Sequence, residues 1–149
     1  MLKDVTNSDK LKLLKKLDWN NSIEVQREGI KEGLQEDDLS IFILPVIPGF
    51  NKSKQVWENC TRILYHKSDE ELISYLEEMF EWLQDLNVPG ALIISKRLYE
   101  FSKNNKDVFN SVKDKCIQRA TDNNDKIWID VINEIEENAE NFWCPDINI

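Results

Sequence analysis

Three carboxylates, Glu78, Glu81 and Asp85, stand at positions i, i+3 and i+7 of a predicted helix. This spacing places side chains along one face of an α-helix, so we predict that the three project in one line. Carboxylates that meet in a cleft can transfer protons or hold a metal ion. Carboxylates on an open face keep a helix solvated or attract a basic partner. The spacing therefore leaves two hypotheses, a small carboxylate- or metal-dependent enzyme and an acidic binding face.

The other reactive residue types do not strengthen the enzyme hypothesis. His66 is the only histidine, and it does not belong to an HExxH motif. Cys60, Cys116 and Cys144 lie far apart without a CxxC pair, so neither a zinc site nor a disulfide framework is expected. No glycine-rich phosphate loop of the GxGxxG or GxxxxGK[ST] type occurs. We therefore predict a protein that is not an enzyme, with no metal and no cofactor.

The carboxylates lie on residues 68–94, which we take to be the centre of the fold. Apolar residues recur there every three or four positions, opposite to the acidic ones, as is typical of an amphipathic helix. They are Leu72, Leu76, Met79, Phe80, Leu83 and Leu86. Ser68 and Glu71 have the spacing of a capping box, which predicts the start of this helix.

A tight corner is expected where this helix ends. Pro89 disfavours helical geometry in the residue before it and fits the first turn of a new helix. Asp85 and Asn87 side chains commonly bond to nearby backbone groups in turns. We predict that Trp82, Asn87 and Pro89 form this corner and that Trp82 is largely buried.

Four segments between residues 57 and 101 carry a resemblance to a known family: WENCTRIL, SDEEL, EWLQDLNVPGA and RLYEF. The segment EWLQDLNVPGA, residues 81–91, is similar to one that recurs in an uncharacterised family of small bacterial helical proteins, with Val88 where an aromatic residue is expected. The resemblance implies a fold related to HEAT-type helical repeats. It also implies an association with immunity proteins that neutralise toxins, and it brings no catalytic residues.

The composition limits the class of protein and its partners. A chain of 149 residues with 41% hydrophobic residues and five tryptophans can bury one core, so we expect a single domain over residues 1–149. The net charge of −9 repels phosphate backbones, and we predict no binding to nucleic acid. No stretch approaches the ~20 apolar residues of a membrane helix, and no secretion signal is visible. We expect a cytoplasmic protein that does not bind a membrane.

The charge is also unevenly distributed, because residues 68–95 hold seven acids and neither Lys nor Arg. The simpler interpretation is a solvated helix face. The more specific interpretation is an acidic face of Glu77, Glu78, Glu81 and Asp85 that binds a basic protein. We carry both forward, with the second as the functional hypothesis.

The remaining pattern predicts an all-α fold of about seven helices, stacked as antiparallel pairs because the connectors are short. Helices are expected over residues 10–17, 23–35, 53–66 and 107–120, after Pro89, and around residues 128–137. The apolar run 39–47 is predicted as a short buried helix, since no strand partner is evident and Pro48 and Gly49 follow. Gly29 and Gly33 predict close helix packing, and residues 142–145 are expected to pack back onto the body.

Overall fold

The computed structural model describes residues 3–4, 8–47, 53–141 and 146–148. Nine α-helices lie in these ranges, and the all-α prediction is confirmed. They are α1 Ser8–Lys16, α2 Ile23–Leu34, α3 Trp57–Tyr65, α4 Asp69–Leu72, α5 Leu76–Trp82, α6 Ala91–Asn104, α7 Lys106–Asp122, α8 Lys126–Asn133 and α9 Ile135–Asn141. Two predicted helices are each divided in two, as α4 with α5 and α8 with α9, which accounts for the higher number.

The predicted central helix is interrupted. The capping box of Ser68 and Glu71 forms as expected and starts α4. A 3-10 turn, Ile73–Tyr75, then separates α4 from α5, and α5 ends at Trp82 instead of continuing to Leu86. Leu83 is nevertheless fully buried in the turn that follows. Periodicity reports which residues are buried, and a turn can bury the same residues as a continuing helix.

The apolar run 39–47 was predicted as one helix, and this prediction is wrong for its second half. A 3-10 turn, Leu39–Phe42, is followed by a two-residue strand β2, Pro45–Val46, which pairs in parallel with β1, Lys3–Asp4. Leu44 lies between them with a positive φ of 44°, which ends the helical geometry before Pro45. The partner strand comes from the beginning of the chain, where the pattern shows no strand.

Close packing explains the two glycines of α2, as predicted. A Cβ on Gly29 would lie 2.9 Å from Leu17 Cδ2, and a Cβ on Gly33 would lie 2.3 Å from Ile63 Cδ1. Both distances are shorter than carbon atoms tolerate, so α1 and α3 approach the α2 backbone only because these residues lack side chains.

One cluster of buried apolar residues runs from Leu13 of α1 to Ile135 of α9. Helix α6 lies at its centre and contacts α3, α5, α7 and α9. No helix within the described ranges is both long enough and apolar enough to cross a membrane. Near the end of the chain, Arg62 Nε donates to the carbonyl of Asp146 (2.6 Å), so Asp146 lies beside α3. The predictions for residues 48–49 and 142–145 fall outside the described residues.

Candidate functional site at the acidic corner

The corner between α5 and α6 is built on a buried tryptophan. Trp82 is 1% exposed, and its Nε1–H donates to the carbonyl of Pro89 (3.0 Å), which closes the loop 83–90. The ring of Trp57, from α3, meets Trp82 edge-on with 5.5 Å between centroids. The prediction that Trp82 is a buried corner residue is therefore confirmed, and Trp57 is a second corner residue that the sequence did not single out.

The loop geometry depends on Gly90 more than on Pro89. Gly90 has a φ of 87°, and a Cβ there would lie 2.4 Å from Thr61 Cγ2. Helix α6 begins at Ala91, so the expected place of Pro89 in its first turn is wrong. Gly90, which lies between Pro89 and Ala91, has a left-handed backbone conformation that interrupts the helical geometry. Earlier in the loop, the Asn87 N–H donates to Asp85 Oδ1 (2.9 Å), which is the local side-chain bond expected of a turn.

Glu77 and Glu81 of the predicted acidic face are paired with bases of α7. Glu77 lies 2.9 Å from Lys115 Nζ and 2.7 Å from Arg119 Nη1, and Glu81 lies 3.4 Å from the same Arg119 nitrogen. The hydrogen bond from Lys115, with the charges of Lys115 and Arg119, lowers the pKa of Glu77. Residues 68–95 lack a base in sequence, but two of their seven acids pair with bases of a distant helix.

Arg119 is held in this position by the core. Its guanidinium carbon lies 5.3 Å from the centroid of the Trp128 ring, a cation–π contact. Trp128 is in turn fixed by a hydrogen bond from its Nε1–H to the carbonyl of Phe80 (2.8 Å). The base that pairs with both glutamates is therefore anchored to α5 and α8 at once.

The predicted line of three carboxylates does not form. Glu78 and Glu81 lie on α5, but Asp85 follows the end of the helix at Trp82 and lies in the loop. Glu78 is half-buried and makes contacts of its own, whereas Asp85 is exposed. Within the part of the chain that the structure describes, no three His, Cys, Asp or Glu side chains are grouped as metal ligands. Of the three carboxylates, Glu81 pairs with a base of α7, Arg119.

A cavity of about 310 Å³ opens where the loop meets α3, and we call it the corner cavity. Glu81 and Asp85 line it together with the side chains of Trp57 and Trp82. Lys54 also lines it, with Nζ 5.4 Å from the centroid of the Trp57 ring. Two acids and two aromatic residues thus share one cavity with a cation of the chain itself.

A second depression, of about 360 Å³, lies on the other side of the loop. Trp19, Asn87, Val88 and Pro89 line it, and Trp19 is 45% exposed. Of the predicted corner residues, Trp82 therefore faces the corner cavity, whereas Asn87 and Pro89 face the other depression.

Four residues that shape the site were missed by the sequence analysis: Lys54, Trp57, Lys115 and Arg119. Lys115 and Arg119 stand four residues apart on a predicted helix, a spacing that places both on one face. That signal indicates a basic face but not the acidic face against which it packs. Lys54 and Trp57 stand three residues apart within the predicted helix 53–66, and this spacing brings side chains together. Their contact could therefore have been expected from the sequence.

The comparisons with known proteins agree with the expectation of an uncharacterised family. No curated protein and no solved structure matches the chain. A family model described as a domain of unknown function, DUF5071, matches residues 52–143. The match covers more than half of the chain and includes the corner, the corner cavity residues Lys54 to Val88, and α3 to α9. The chain therefore belongs to the DUF5071 family.

Proposed function

We propose that this protein is an interaction module whose corner cavity receives a basic side chain of a partner protein. The observation that carries the proposal is the lining of the cavity, in which the carboxylates of Glu81 and Asp85 meet Trp57 and Trp82. A guanidinium or ammonium group gains charge-assisted hydrogen bonds from carboxylates and a cation–π contact from an aromatic ring. The cavity supplies both kinds of partner.

Lys54 supports this proposal because its own ammonium group already makes a cation–π contact with the aromatic lining of the cavity. Its ammonium group lies over the Trp57 ring at 5.4 Å, and Lys54 is exposed. A cation–π contact at an exposed position contributes about 0.5–1 kcal/mol. A partner side chain can displace Lys54 at that small cost and gain the carboxylate of Asp85 as well.

The four predicted residues of the acidic face, Glu77, Glu78, Glu81 and Asp85, do not contribute equally to the proposed binding. Glu77 and Glu81 share Arg119, so part of their charge is already compensated. Asp85 is exposed and accepts a hydrogen bond from the backbone N–H of Asn87, which does not cancel the charge of the carboxylate. We assign Asp85 the leading role, while the net charge of −9 attracts a basic partner over longer distances.

The class of partner that we propose is a basic toxin, with this chain as its immunity protein. The support is the resemblance of residues 81–91 to a segment of small bacterial helical proteins that are associated with toxin-neutralising immunity proteins. The same resemblance supports a HEAT-like stacking of the helix pairs. A cytoplasmic location fits Cys60 and Cys116, which are buried free thiols.

The proposal is tested by affinity capture from native cells with Asp85→Lys and a matched control, Glu70→Lys. Both variants add the same charge at an exposed residue, but Glu70 does not line the corner cavity. We expect the wild type and Glu70→Lys to retain one basic protein, and Asp85→Lys to bind it about tenfold more weakly at low salt. The loss should shrink as salt increases.

Equal retention of that protein by all three chains, at every salt concentration, would show that the corner cavity is not the binding site. A gene for a basic toxin beside this one would supply the purified partner for the same measurement. Protection of cells from that toxin by the wild type, and weaker protection by Asp85→Lys, is the result expected of an immunity protein.

A further inference from the structure

A cavity of about 480 Å³ opens between the end of α6, the first half of α7, and the junction of α8 and α9. None of its lining residues lines the corner cavity. We call it the lysine cavity and define it by Tyr99, Lys103, Lys106, Phe109, Lys113 and Glu136. Its volume lies within the roughly 300–1,000 Å³ that small-molecule sites occupy.

The charge of this cavity is opposite to that of the chain. Lys103, Lys106 and Lys113 line it against one acid, Glu136, whereas the chain as a whole has a net charge of −9. Among the residues that the structure describes, the ion pairs of 4.0 Å or less include none of these three lysines. Three cations therefore share one opening with a single lining carboxylate, and none of the three forms an ion pair with a described residue.

The floor of the lysine cavity is apolar and aromatic. Phe109, Ile132 and Ile135 line it from below and are buried. At the rim, Lys103 Nζ lies 4.5 Å from the centroid of the Tyr99 ring. The Tyr99 hydroxyl donates to Glu140 (3.1 Å), which fixes the position of that ring. Polar groups of Ser102, Asn110 and Asn133 complete the wall and can direct a bound molecule.

We propose that the lysine cavity binds a small organic dianion, with its charged group among the three ammonium groups and its apolar body against Phe109. A phosphate monoester and a dicarboxylate share this chemistry. Both carry two negative charges at neutral pH and accept several hydrogen bonds from ammonium groups. This site is independent of the proposed binding of a basic protein, because it uses a different cavity and the opposite charge.

The experiment is a titration of the ¹⁵N-labelled protein with phenyl phosphate, followed by NMR at pH 7.5. We expect saturable shifts centred on Asn110 and Asn133, and tighter binding than for inorganic phosphate, which lacks an apolar body, or phenol, which lacks the charge. A parallel titration with phthalate distinguishes a dicarboxylate site from a phosphate site. Tighter binding of either phenyl phosphate or phthalate supports the proposal and identifies the head group.

The matched variants are the triple change Lys103→Gln, Lys106→Gln and Lys113→Gln, and the control Lys12→Gln on α1. The lysines of the triple variant are exposed or half-buried, and Lys12 is exposed, so folding should be preserved. We expect the triple variant to bind the preferred dianion about tenfold more weakly and the control to bind it as the wild type does. If the triple variant fails to fold, Lys106→Gln alone should still weaken binding severalfold.

Three results would overturn the inference. One is the absence of saturable shifts with both dianions. Another is binding no tighter than that of inorganic phosphate, since the apolar floor would then have no role. The third is equal affinity in the folded lysine variants and the wild type, because binding would then not depend on the lysines.

Discussion

Helix α7 carries bases on two faces that meet opposite surroundings. Lys115 and Arg119 point to α5 and form ion pairs with Glu77 and Glu81. Lys113, only two residues before Lys115, points to the lysine cavity with the apolar floor beneath it. An α-helix turns by about 100° per residue, so two positions separate the faces by about 200°. The face of α7 on which a basic residue lies therefore decides whether that residue forms an ion pair with α5 or lines the lysine cavity.

The comparison also shows that charge along the sequence differs from charge on the surface. Residues 68–95 hold seven acids and no base, yet part of that acidic face is neutralised by α7. The lysine cavity is basic although the chain is strongly acidic, because lysines from two helices converge on it. A binding face must therefore be judged from charges that remain after the helices have packed.

The largest expected effect on stability comes from removing Trp82, the buried residue on which the acidic corner is built. Trp82→Ala should lower the free energy of unfolding by about 3–5 kcal/mol, because a buried aromatic ring and its bond to Pro89 are lost. Trp19→Ala is the matched control, since Trp19 is 45% exposed and its loss should cost less than that of Trp82. Urea melts measure both. A change below 1 kcal/mol for Trp82→Ala would show that the corner does not depend on this ring.

Substitutions on the two faces of α7 should differ in their effect on the free energy of unfolding, and both effects should be smaller than that of Trp82→Ala. Arg119→Met removes two partly exposed ion pairs and a cation–π contact, so the free energy of unfolding should fall by about 1–2 kcal/mol. Lys113→Met, which breaks no ion pair with a described residue, should change it by less than about 0.5 kcal/mol. Denaturant melts at low salt compare the two, and equal effects would contradict the distinction between the faces.

The smallest effect is a pH dependence at Glu77. Its pKa is lowered in the folded protein, so the unfolded chain binds a proton first as the pH falls. The stability that Glu77 adds is therefore present above its ordinary pKa and is lost as the pH falls through the folded value.

Glu77→Gln should lower the free energy of unfolding by less than about 1 kcal/mol at pH 7, and the difference from wild type should shrink as the pH falls below the ordinary pKa of a glutamate. Glu70→Gln, at an exposed residue of α4, is the control variant. Thermal melts between pH 3 and pH 7 provide the measurement. A constant difference between wild type and Glu77→Gln across this range would mean that the ion pairs with α7 add no stability.

Much of the fold could be predicted because the signals are local. Ser68 and Glu71 form their capping box through groups three residues apart, and Gly29 and Gly33 mark positions where a side chain would prevent packing. The helix break after α4 and the parallel pairing of Lys3–Asp4 with Pro45–Val46 could not be predicted. The strand pairing joins residues about forty positions apart, which a pattern along one segment does not contain.

Some features of the candidate site could likewise be predicted from the sequence, and others could not. The sequence by itself determined that Trp82 is a buried part of a corner and that Glu77, Glu78 and Glu81 lie together on one helix, because spacing within a helix sets which side chains share a face. Only the tertiary structure decided that Arg119 neutralises part of this face, that Trp57 completes the corner cavity, and that three lysines surround another cavity. These contacts join residues more than twenty positions apart or on separate helices, and the packing of α3, α5, α6 and α7 brings them together.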